Sequence, residues 1–280
     1  MNYNTPKEVA QNYIATGVAK TKLPASKMLL LGVLAGMFIA LAGVGATVAS
    51  ATVASPSLAK LVGAFIFPVG LAMVLLAGSE LFTGSSLIII PVLEKEAKIS
   101  GMLKNWVLVY IGNFIGSIII ALLVVYGGTG SMFGNEVAAS MINTAAAKTS
   151  LDFMQAVYRG ILCNFLVCIA VWISFAAKDI VGKITGLFMP IMLFVLCGYE
   201  HSVANMYYIT AGLFAAKNPI YMAAASNNNI STLSWGSLFT KNLIPVTIGN
   251  IIGGAVLVGL GYWFIYLRDP AEKKAAAKKK

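Results

Sequence analysis

Six long apolar segments limit what this chain can fold into more than any other feature. They cover roughly residues 28–50, 61–93, 105–127, 156–177, 184–215 and 240–267. A helix needs about 20 apolar residues to cross a bilayer. Only 11% of the 280 residues are charged, less than half of the roughly 25% typical of soluble domains. We therefore predict an all-α membrane protein with six transmembrane helices, and the composition excludes a soluble enzyme.

The distribution of basic residues predicts on which side of the membrane the termini lie. Cytoplasmic loops of membrane proteins are enriched in Lys and Arg. If both termini are cytoplasmic, only five of the 20 basic residues remain for the outer side: Lys60, Lys148, Arg159, Lys217 and Lys241. We therefore predict a multi-pass protein of the plasma (inner) membrane with both termini cytoplasmic. The net charge of +10 lies on loops and tails, which argues against nucleic acid as a partner.

The apolar segments divide the chain into three predicted regions. Residues 1–27 form a cytoplasmic N-terminal helix, residues 28–267 the six-helix transmembrane domain, and residues 268–280 a basic cytoplasmic tail. Thr5 and Glu8 have the spacing of a capping box at the start of the first helix. We expect this helix to be either an interfacial anchor or a cytoplasmic plug.

The cysteines do not have the spacing of a metal site. Cys163, Cys168 and Cys197 all lie in apolar segments, without a CxxC pair or zinc-ligand spacing. A buried thiol packs like a small apolar side chain, so we expect all three to be packing residues. No cofactor and no metal are predicted.

Two pairs of similar motifs indicate an internal repeat. Residues 78–80 (Gly-Ser-Glu) match residues 198–200 (Gly-Tyr-Glu), and residues 111–116 match residues 248–253 in the same order. The repeated unit contains three transmembrane segments, and an odd number forces the second copy to enter the membrane from the opposite side. We therefore predict a 3+3 inverted repeat.

The second and fifth apolar segments contain Gly, Pro and polar residues near their middle. These interruptions lie at residues 78–86 and 198–205, at matching positions of the repeat. Unpaired backbone cannot face lipid, so an interruption must face protein or a cavity. Transmembrane helices 2 and 5 are therefore predicted to be interrupted, and the interruptions point to a transport site.

The polar residues near the interruptions are the candidate site residues. His201 is the only histidine, and at membrane depth it could donate a hydrogen bond or pass a proton. The Thr83 hydroxyl could donate to a passing anion or bond its own backbone. Glu80 and Glu200 are expected to be either proton carriers or caps on the backbone N–H groups freed at each interruption.

Asparagine and lysine side chains complete the polar candidates. Asn164 and Asn250 are expected to tie helices together, and Asn250 could also contact His201 or line the route. Lys148 is the outer-loop lysine that could draw anions to an entrance, although most loop lysines are simply solvated.

Large apolar side chains near the interruptions have two interpretations. They either pack between helices or form apolar constrictions on both sides of a small polar chamber, which would bar hydrated ions. The candidates are Phe67, Leu71, Leu81, Phe82 and Phe194.

Four motifs in the same order resemble those of the formate–nitrite transporter family. They are residues 77–84 (AGSELFTG), 160–168 (GILCNFLVC), 200–206 (EHSVANM) and 241–250 (KNLIPVTIGN). As a whole, the chain looks most similar to the hydrosulfide-channel branch of this family. The resemblance implies an aquaporin-like fold, a homopentamer with one pore in each protomer, and a gating role for the N-terminal segment.

The resemblance also implies roles for individual residues. It makes His201 and Thr83 the pore pair, Lys148 the vestibule lysine, and Asn164 and Asn250 the asparagines near the pore. It places Leu71, Leu81 and Phe194 at a cytoplasmic slit, and Phe67 at an outer constriction.

The predicted function is a membrane channel for small monovalent anions of weak acids, with His201 assisting passage between two apolar constrictions. Hydrosulfide is the favoured anion, with formate and nitrite as further candidates. A channel for neutral solutes such as water or ammonia is the first alternative. An intramembrane enzyme is the second, but the chain has neither a G-x-S-x-G nor an H-E-x-x-H motif.

Overall fold

The computed structural model describes residues 3–226 and 229–268. All regular secondary-structure elements in this part of the chain are helices. An isolated antiparallel bridge between Tyr3 and Ala177 is the only β-type pairing among the described residues. The α-helices are α1 Pro6–Lys22, α2 Ala25–Ser50, α3 Pro56–Ile66, α4 Val69–Leu76, α5 Phe82–Ser85, α6 Ile89–Leu93, α7 Ile99–Tyr126, α8 Glu136–Thr149, α9 Phe153–Ala176, α10 Ile180–Leu196, α11 Ser202–Ala215, α12 Pro219–Ala224, α13 Trp235–Ser237, α14 Ile244–Ile251 and α15 Gly261–Tyr266.

Five continuous helical stretches in the described residues are long and apolar enough to cross a membrane: Ala25–Ser50, Pro56–Leu76, Ile99–Tyr126, Phe153–Ala176 and Trp235–Tyr266. The last one joins α13, α14 and α15 through two π-helical segments, Leu238–Leu243 and Ile252–Leu260.

The apolar segment at residues 184–215 differs from these five. It contains two shorter helices, α10 and α11, which are separated by residues 197–201. Phe82–Leu93 is likewise too short to span a membrane by itself. Except for Arg268, the tail predicted at residues 268–280 lies outside the described residues.

The outer surface of the bundle is apolar. Leu30, Val107, Leu123 and Met189, which lie in apolar helices, are all more than half exposed. A helix that is apolar on all sides belongs in a low-dielectric environment. The polar side chains are instead concentrated inside the bundle, where Asn105, Asn113, Asn164, Asn205, Asn242 and Asn250 are fully buried.

Glycines allow two helix pairs to pack with their backbones in contact. A Cβ atom on Gly32 of α2 would lie 2.9 Å from the Val109 carbonyl oxygen of α7. A Cβ atom on Gly160 of α9 would lie 2.7 Å from the Val246 carbonyl oxygen of α14. Small residues at such crossings favour helix association in membranes. The two close pairs, α2 with α7 and α9 with α14, hold the central part of the bundle.

The N-terminal helix α1 packs against the bundle. The predicted capping box is confirmed, because the Thr5 side chain accepts from the Glu8 N–H and the Glu8 carboxylate accepts from the Thr5 N–H. Val9, Ala10 and Tyr13 are buried in one apolar cluster with Leu87, Ile90, Cys168, Val171, Trp172 and Val258. One face of α1 is therefore part of the core rather than free in solvent.

Candidate functional site

Two short non-helical segments meet in the interior of the bundle. The first break, residues 77–81, separates α4 from α5, and the second break, residues 197–201, separates α10 from α11. Gly78 and Gly198 adopt left-handed conformations, with φ of 78° and 69°, which glycine reaches without steric cost. These two glycines end α4 and α10 and turn the chain into each break.

One asparagine stabilises the backbone at each break. At the first break the Asn113 side chain accepts from the Phe82 N–H at 3.0 Å and donates to the Glu80 carbonyl at 2.9 Å. At the second break the Asn250 side chain accepts from the Ser202 N–H at 2.9 Å and donates to the Glu200 carbonyl at 3.0 Å. These amides satisfy backbone groups that lose their helical partners, as burial requires.

Each break also carries a buried ion pair. Lys20 of α1 lies 2.6 Å from the Glu80 carboxylate, and Lys148 of α8 lies 3.0 Å from the Glu200 carboxylate. Both glutamates are nearly inaccessible to solvent. Of the two interpretations of Lys148, this ion pair disfavours the solvated loop lysine, and the attraction of anions to an entrance stays a prediction.

The contacts of the two glutamates can be compared with their two expected roles, as proton carriers or as caps on freed backbone N–H groups. The hydrogen-bond donors to the Glu80 carboxylate are Lys20 and Asn105, at 2.6 and 3.3 Å. The donors to the Glu200 carboxylate are Lys148, Asn205 and Asn242. Among the described residues, neither carboxylate accepts from the freed backbone N–H groups that it was expected to cap. The asparagines have that role instead.

Sequence reasoning missed four members of these networks: Lys20, Asn105, Asn205 and Asn242. A signal for Lys20 was present, because Lys20 precedes Gly32 by the same distance as Lys148 precedes Gly160. The backbone carbonyls of Lys20 and Lys148 also accept from Asn105 and Asn242, at 3.4 and 3.0 Å.

His201 and Thr83 form a buried pair where the two breaks meet. The imidazole Nε2 lies 2.9 Å from the Thr83 hydroxyl, and both residues are at most 3% exposed. The imidazole Nδ1 accepts from the Ala204 N–H at 3.0 Å, which makes His201 the N-cap of α11. Since Nδ1 is an acceptor, the proton of a neutral imidazole lies on Nε2 and is donated to Thr83.

Asn164 connects this pair to the second half of the chain. Its amide donates to the Thr83 carbonyl at 3.2 Å and to the Asn250 carbonyl at 2.7 Å. It also lies 3.1 Å from the Ser86 hydroxyl. Asn164 therefore supports the backbone that carries Thr83, as expected for an asparagine that ties helices together. Asn250 contacts the backbone on both sides of His201 rather than its ring.

Two separate cavities border the two breaks. The α1 cavity, about 590 Å³, is lined by Lys20, Glu80, Leu71 and Leu81 among others. The α8 cavity, about 430 Å³, is lined by Lys148, Glu200, His201 and Phe67 among others. Thr83 is fully buried and lines neither of them.

The five apolar candidates do not form one group. Leu71 and Leu81 line the α1 cavity, whereas Phe67 and Phe194 line the α8 cavity. The rings of Phe67 and Phe194 lie 5.8 Å apart, and Phe194 also stacks on His201 at 5.8 Å. The resemblance grouped Phe194 with Leu71 and Leu81, but the structure places Phe194 beside Phe67.

Phe82 has a different environment from the other four. Its ring packs edge-on against Trp106 and Tyr110 of α7, at 6.1 and 4.9 Å, and it lines neither cavity. Of its two interpretations, these contacts favour helix packing.

The cysteines also differ among themselves, because Cys163 and Cys168 are buried and Cys197 is exposed.

A multi-pass helical bundle with a cavity at each of two internal breaks, and a buried polar pair between those breaks, defines a channel or transporter rather than an enzyme. The sequence profile of the family described as "Formate/nitrite transporter" matches residues 7–264. The chain belongs to this family.

Individual relatives extend the match over nearly the whole chain. It is 36% identical to the "Probable formate transporter" of Methanothermobacter thermautotrophicus, over 96% of this chain and 99% of the relative. It is 37% identical to "Formate channel FocA" of Escherichia coli (strain K12), over 94% of this chain and 95% of the relative.

Solved structures agree with this assignment. A "Pentameric formate channel with formate bound" matches with a TM-score of 0.78 and 35% identity, over 87% of this chain and 98% of the other. An "FNT family ion channel" matches with a TM-score of 0.79 and 28% identity, over 92% and 98%.

Proposed function

We propose that the protein is a membrane channel for small monovalent anions of weak acids, in which His201 and Thr83 bind the anion between the two cavities. The observation that carries the proposal is the buried Nε2–Oγ1 contact of 2.9 Å at the meeting point of the two breaks. Because Nε2–H donates to the Thr83 hydroxyl, the hydroxyl hydrogen has no acceptor among the described residues and is available to an anion.

We further propose that the architecture is a 3+3 inverted repeat of six transmembrane segments, with the second and fifth interrupted, as in an aquaporin-like fold. The matched contacts of Asn113 with Asn250 and of Glu80 with Glu200 support it. The matched lysines suggest that the repeat begins earlier than the membrane segments, so that α1 corresponds to α8.

The proposed orientation places α1 and its cavity in the cytoplasm and the α8 cavity outside, in the plasma membrane. The cavity linings are consistent with it. Lys20, Lys178 and Lys183 line the α1 cavity and belong to the basic residues assigned to the cytoplasm. Lys60, Lys148 and Arg159 line the α8 cavity and belong to those assigned outside. By analogy with the pentameric relative, the protein assembles as a homopentamer with one pore in each protomer.

The apolar residues beside each cavity are the proposed constrictions. Leu71 and Leu81 border the α1 side, and Phe67 and Phe194 border the α8 side. An anion that leaves water loses most of its hydration energy in such surroundings. The hydrogen-bond donors of His201 and Thr83 partly replace that hydration at the point between the constrictions.

The hydrogen bond to Nδ1 favours donation over proton transfer by His201. An imidazolium carries a proton on both ring nitrogens. The Nδ1 proton would then face the Ala204 N–H, and the N-cap of α11 would be lost. His201 is therefore proposed to act as a neutral imidazole that donates from Nε2, and it does not carry a proton to the anion.

Formate is the first anion to test. The relatives compared above are named formate channels or transporters, which favours formate over the hydrosulfide preferred on overall sequence likeness. Hydrosulfide and nitrite are also monovalent and small, so the donors of the pair can serve all three.

The test is flux of formate, hydrosulfide and nitrite into proteoliposomes that contain the wild type, His201→Gln or His201→Ala. Glutamine retains a side-chain N–H near the position of Nε2 but cannot titrate. If His201 donates a hydrogen bond, His201→Gln should keep much of the flux. His201→Ala should lose about tenfold or more, since hydrogen bonds to charged groups contribute about 1.5–3 kcal/mol.

Three results would contradict parts of the proposal. Equal loss in both variants, with removal of the wild-type pH dependence, would make His201 a proton carrier. Wild-type flux that is insensitive to competing anions and to voltage would indicate a neutral-solute channel. Absence of flux for all three anions, in protein that is pentameric and folded, would refute the anion channel itself.

A further inference from the structure

Three basic side chains line the α8 cavity, but only one of them is paired. The Lys148 amine is bound to both Glu200 carboxylate oxygens, at 3.0 and 3.1 Å. Within residues 3–226 and 229–268, the side chains of Lys60 and Arg159 have no carboxylate at ion-pair distance. Glu200 is the only acidic residue in the lining of this cavity. The positive charge that remains for a ligand is therefore that of Lys60 and Arg159.

Both free cations lie close to the second break. The Lys60 amine is 3.9 Å from the position where a Cβ of Gly198 would lie, so it sits directly over the break. Arg159 is joined to the break through its backbone, because its carbonyl accepts from the Glu200 N–H at 3.2 Å. Lys60 comes from α3 and Arg159 from α9, so two different helices bring positive charge to one cavity.

Exposure separates these two residues from Lys148. Lys60 and Arg159 are exposed, whereas only 16% of the Lys148 side chain is accessible. A buried and paired lysine contributes little net field at a distance, because the adjacent carboxylate cancels its charge. Exposed charges in a concave, low-dielectric mouth attract counter-ions and raise their local concentration.

We propose that Lys60 and Arg159 form the anion-capture site of the α8 cavity, and that Lys148 is a structural partner of Glu200 instead. The inference rests on the proposed anion channel and names the residues that concentrate its substrate. Capture depends on the charge of the ligand rather than its identity, so formate, hydrosulfide and nitrite are all attracted. Selection among them takes place deeper, at His201 and Thr83.

The first test compares formate flux in wild type and in the double variant Lys60→Gln/Arg159→Gln at low ionic strength. The variant should have a half-saturating formate concentration raised by about tenfold, in line with electrostatic effects on association. Its flux at saturating formate should equal that of the wild type. The difference should nearly disappear at about 1 M of a bulky, impermeant salt, because the Debye length is then about 3 Å.

Lys217→Gln is the matched control. Lys217 is assigned to the same side of the membrane, but it does not line the cavity, and its amine lies over the Phe214 ring at 5.6 Å. This variant should have wild-type kinetics. An unchanged half-saturating concentration in the double variant, or an equal loss in Lys217→Gln, would overturn the capture site. So would a loss of the same size at saturating formate.

A binding measurement separates failure of this inference from failure of the channel proposal. Amine-reactive labelling of the wild type, read by mass spectrometry, reports on Lys60 and Lys217 in the same sample. Sodium formate should slow labelling of Lys60 more than that of Lys217, at constant ionic strength set with sodium gluconate. Equal slowing at both sites would overturn the capture site whether or not formate crosses the membrane.

Discussion

The two breaks share a scaffold and differ in the residue that faces the route. Asn113 and Asn250 bond equivalent backbone groups, and Lys20 and Lys148 pair with equivalent glutamates. The position that holds Leu81 at the first break holds His201 at the second. The two breaks therefore share matched backbone contacts but present different side chains at this position, apolar at the first break and an imidazole at the second.

A second difference concerns the strength of the two ion-pair networks. Two side chains donate to the Glu80 carboxylate, and three donate to that of Glu200. The second break therefore holds its carboxylate more firmly. It is also the break that must keep His201 in a fixed orientation.

The largest expected effect is the loss of either scaffold asparagine. Asn113→Ala and Asn250→Ala each leave a backbone N–H and a backbone carbonyl unsatisfied, at a cost of about 1–3 kcal/mol per group. Both variants should be destabilised by about 3 kcal/mol or more in thermal unfolding in detergent. Ser117→Ala is the control, because the buried Ser117 hydroxyl has no hydrogen-bond partner in the described part of the chain. A large loss of stability in one asparagine variant and none in the other would show that the two asparagines do not have the same structural role.

Neutralising the glutamates should reveal the difference between the two networks. Glu200→Gln should lower the free energy of unfolding by about 2 kcal/mol and Glu80→Gln by about 1 kcal/mol, below the 3–5 kcal/mol of fully buried pairs. The partner lysines are 22% and 16% accessible, so water partly compensates each loss. Adding Lys148→Met to Glu200→Gln should restore part of the stability. A larger loss in Glu80→Gln would reverse the proposed ranking.

Removing the hydroxyl at Thr83, or adding one at the matching position of the second break, should show whether anion flux depends on the hydroxyl of Thr83 in particular. Thr83→Val removes the partner of His201 and should slow formate flux about tenfold, the equivalent of ~1.4 kcal/mol. Val203 occupies the equivalent position at the second break, and Val203→Thr should leave flux unchanged. Thr83→Val should also lower the free energy of unfolding by about 1–3 kcal/mol, because it leaves the buried Nε2–H of His201 without an acceptor, so flux is compared at equal amounts of folded protein. Normal flux in Thr83→Val would show that the hydroxyl does not contact the anion.

The smallest effect is expected at α1, which supplies Lys20 to the first break as α8 supplies Lys148 to the second. Hydrogen bonds from the Thr5 N–H, and then from the Thr5 hydroxyl, hold the pKa of Glu8 below its ordinary value. A lowered folded-state pKa adds stability above the unfolded-state value, and that stability is lost as pH falls through the folded-state value. Hydrogen exchange of α1, corrected for its intrinsic rate, should therefore become faster in acid.

Thr5→Ala tests the cause of this pH dependence. It removes the side-chain half of the capping box, which typically contributes about 1 kcal/mol to a helix. The variant should exchange faster than wild type at neutral pH and show a weaker dependence on acid. An unchanged pH dependence in Thr5→Ala would mean that the Thr5 hydroxyl does not contribute to the lowered pKa of Glu8.

Much of the fold could be predicted because it depends on local sequence. The apolar segments, the capping box of α1 and the glycine-containing motifs of the breaks are all short-range patterns, and each corresponds to a helix, a cap or a turn. The family could be identified from four motifs for the same reason. Hydrophobic length and turn chemistry are properties of neighbouring residues, so they remain visible in the linear chain.

The candidate site depended on tertiary structure to a greater degree. Thr83 and His201 are 118 residues apart, and Asn164 joins them only because α9 packs beside the first break. The pairing of Lys148 with Glu200, and of Lys20 with Glu80, also links separate helices. The sequence by itself identified the polar residues beside the two interruptions, although it missed Lys20, Asn105, Asn205 and Asn242. Only the folded chain decided which of them are neutralised by a partner, since that depends on distances between elements far apart in sequence.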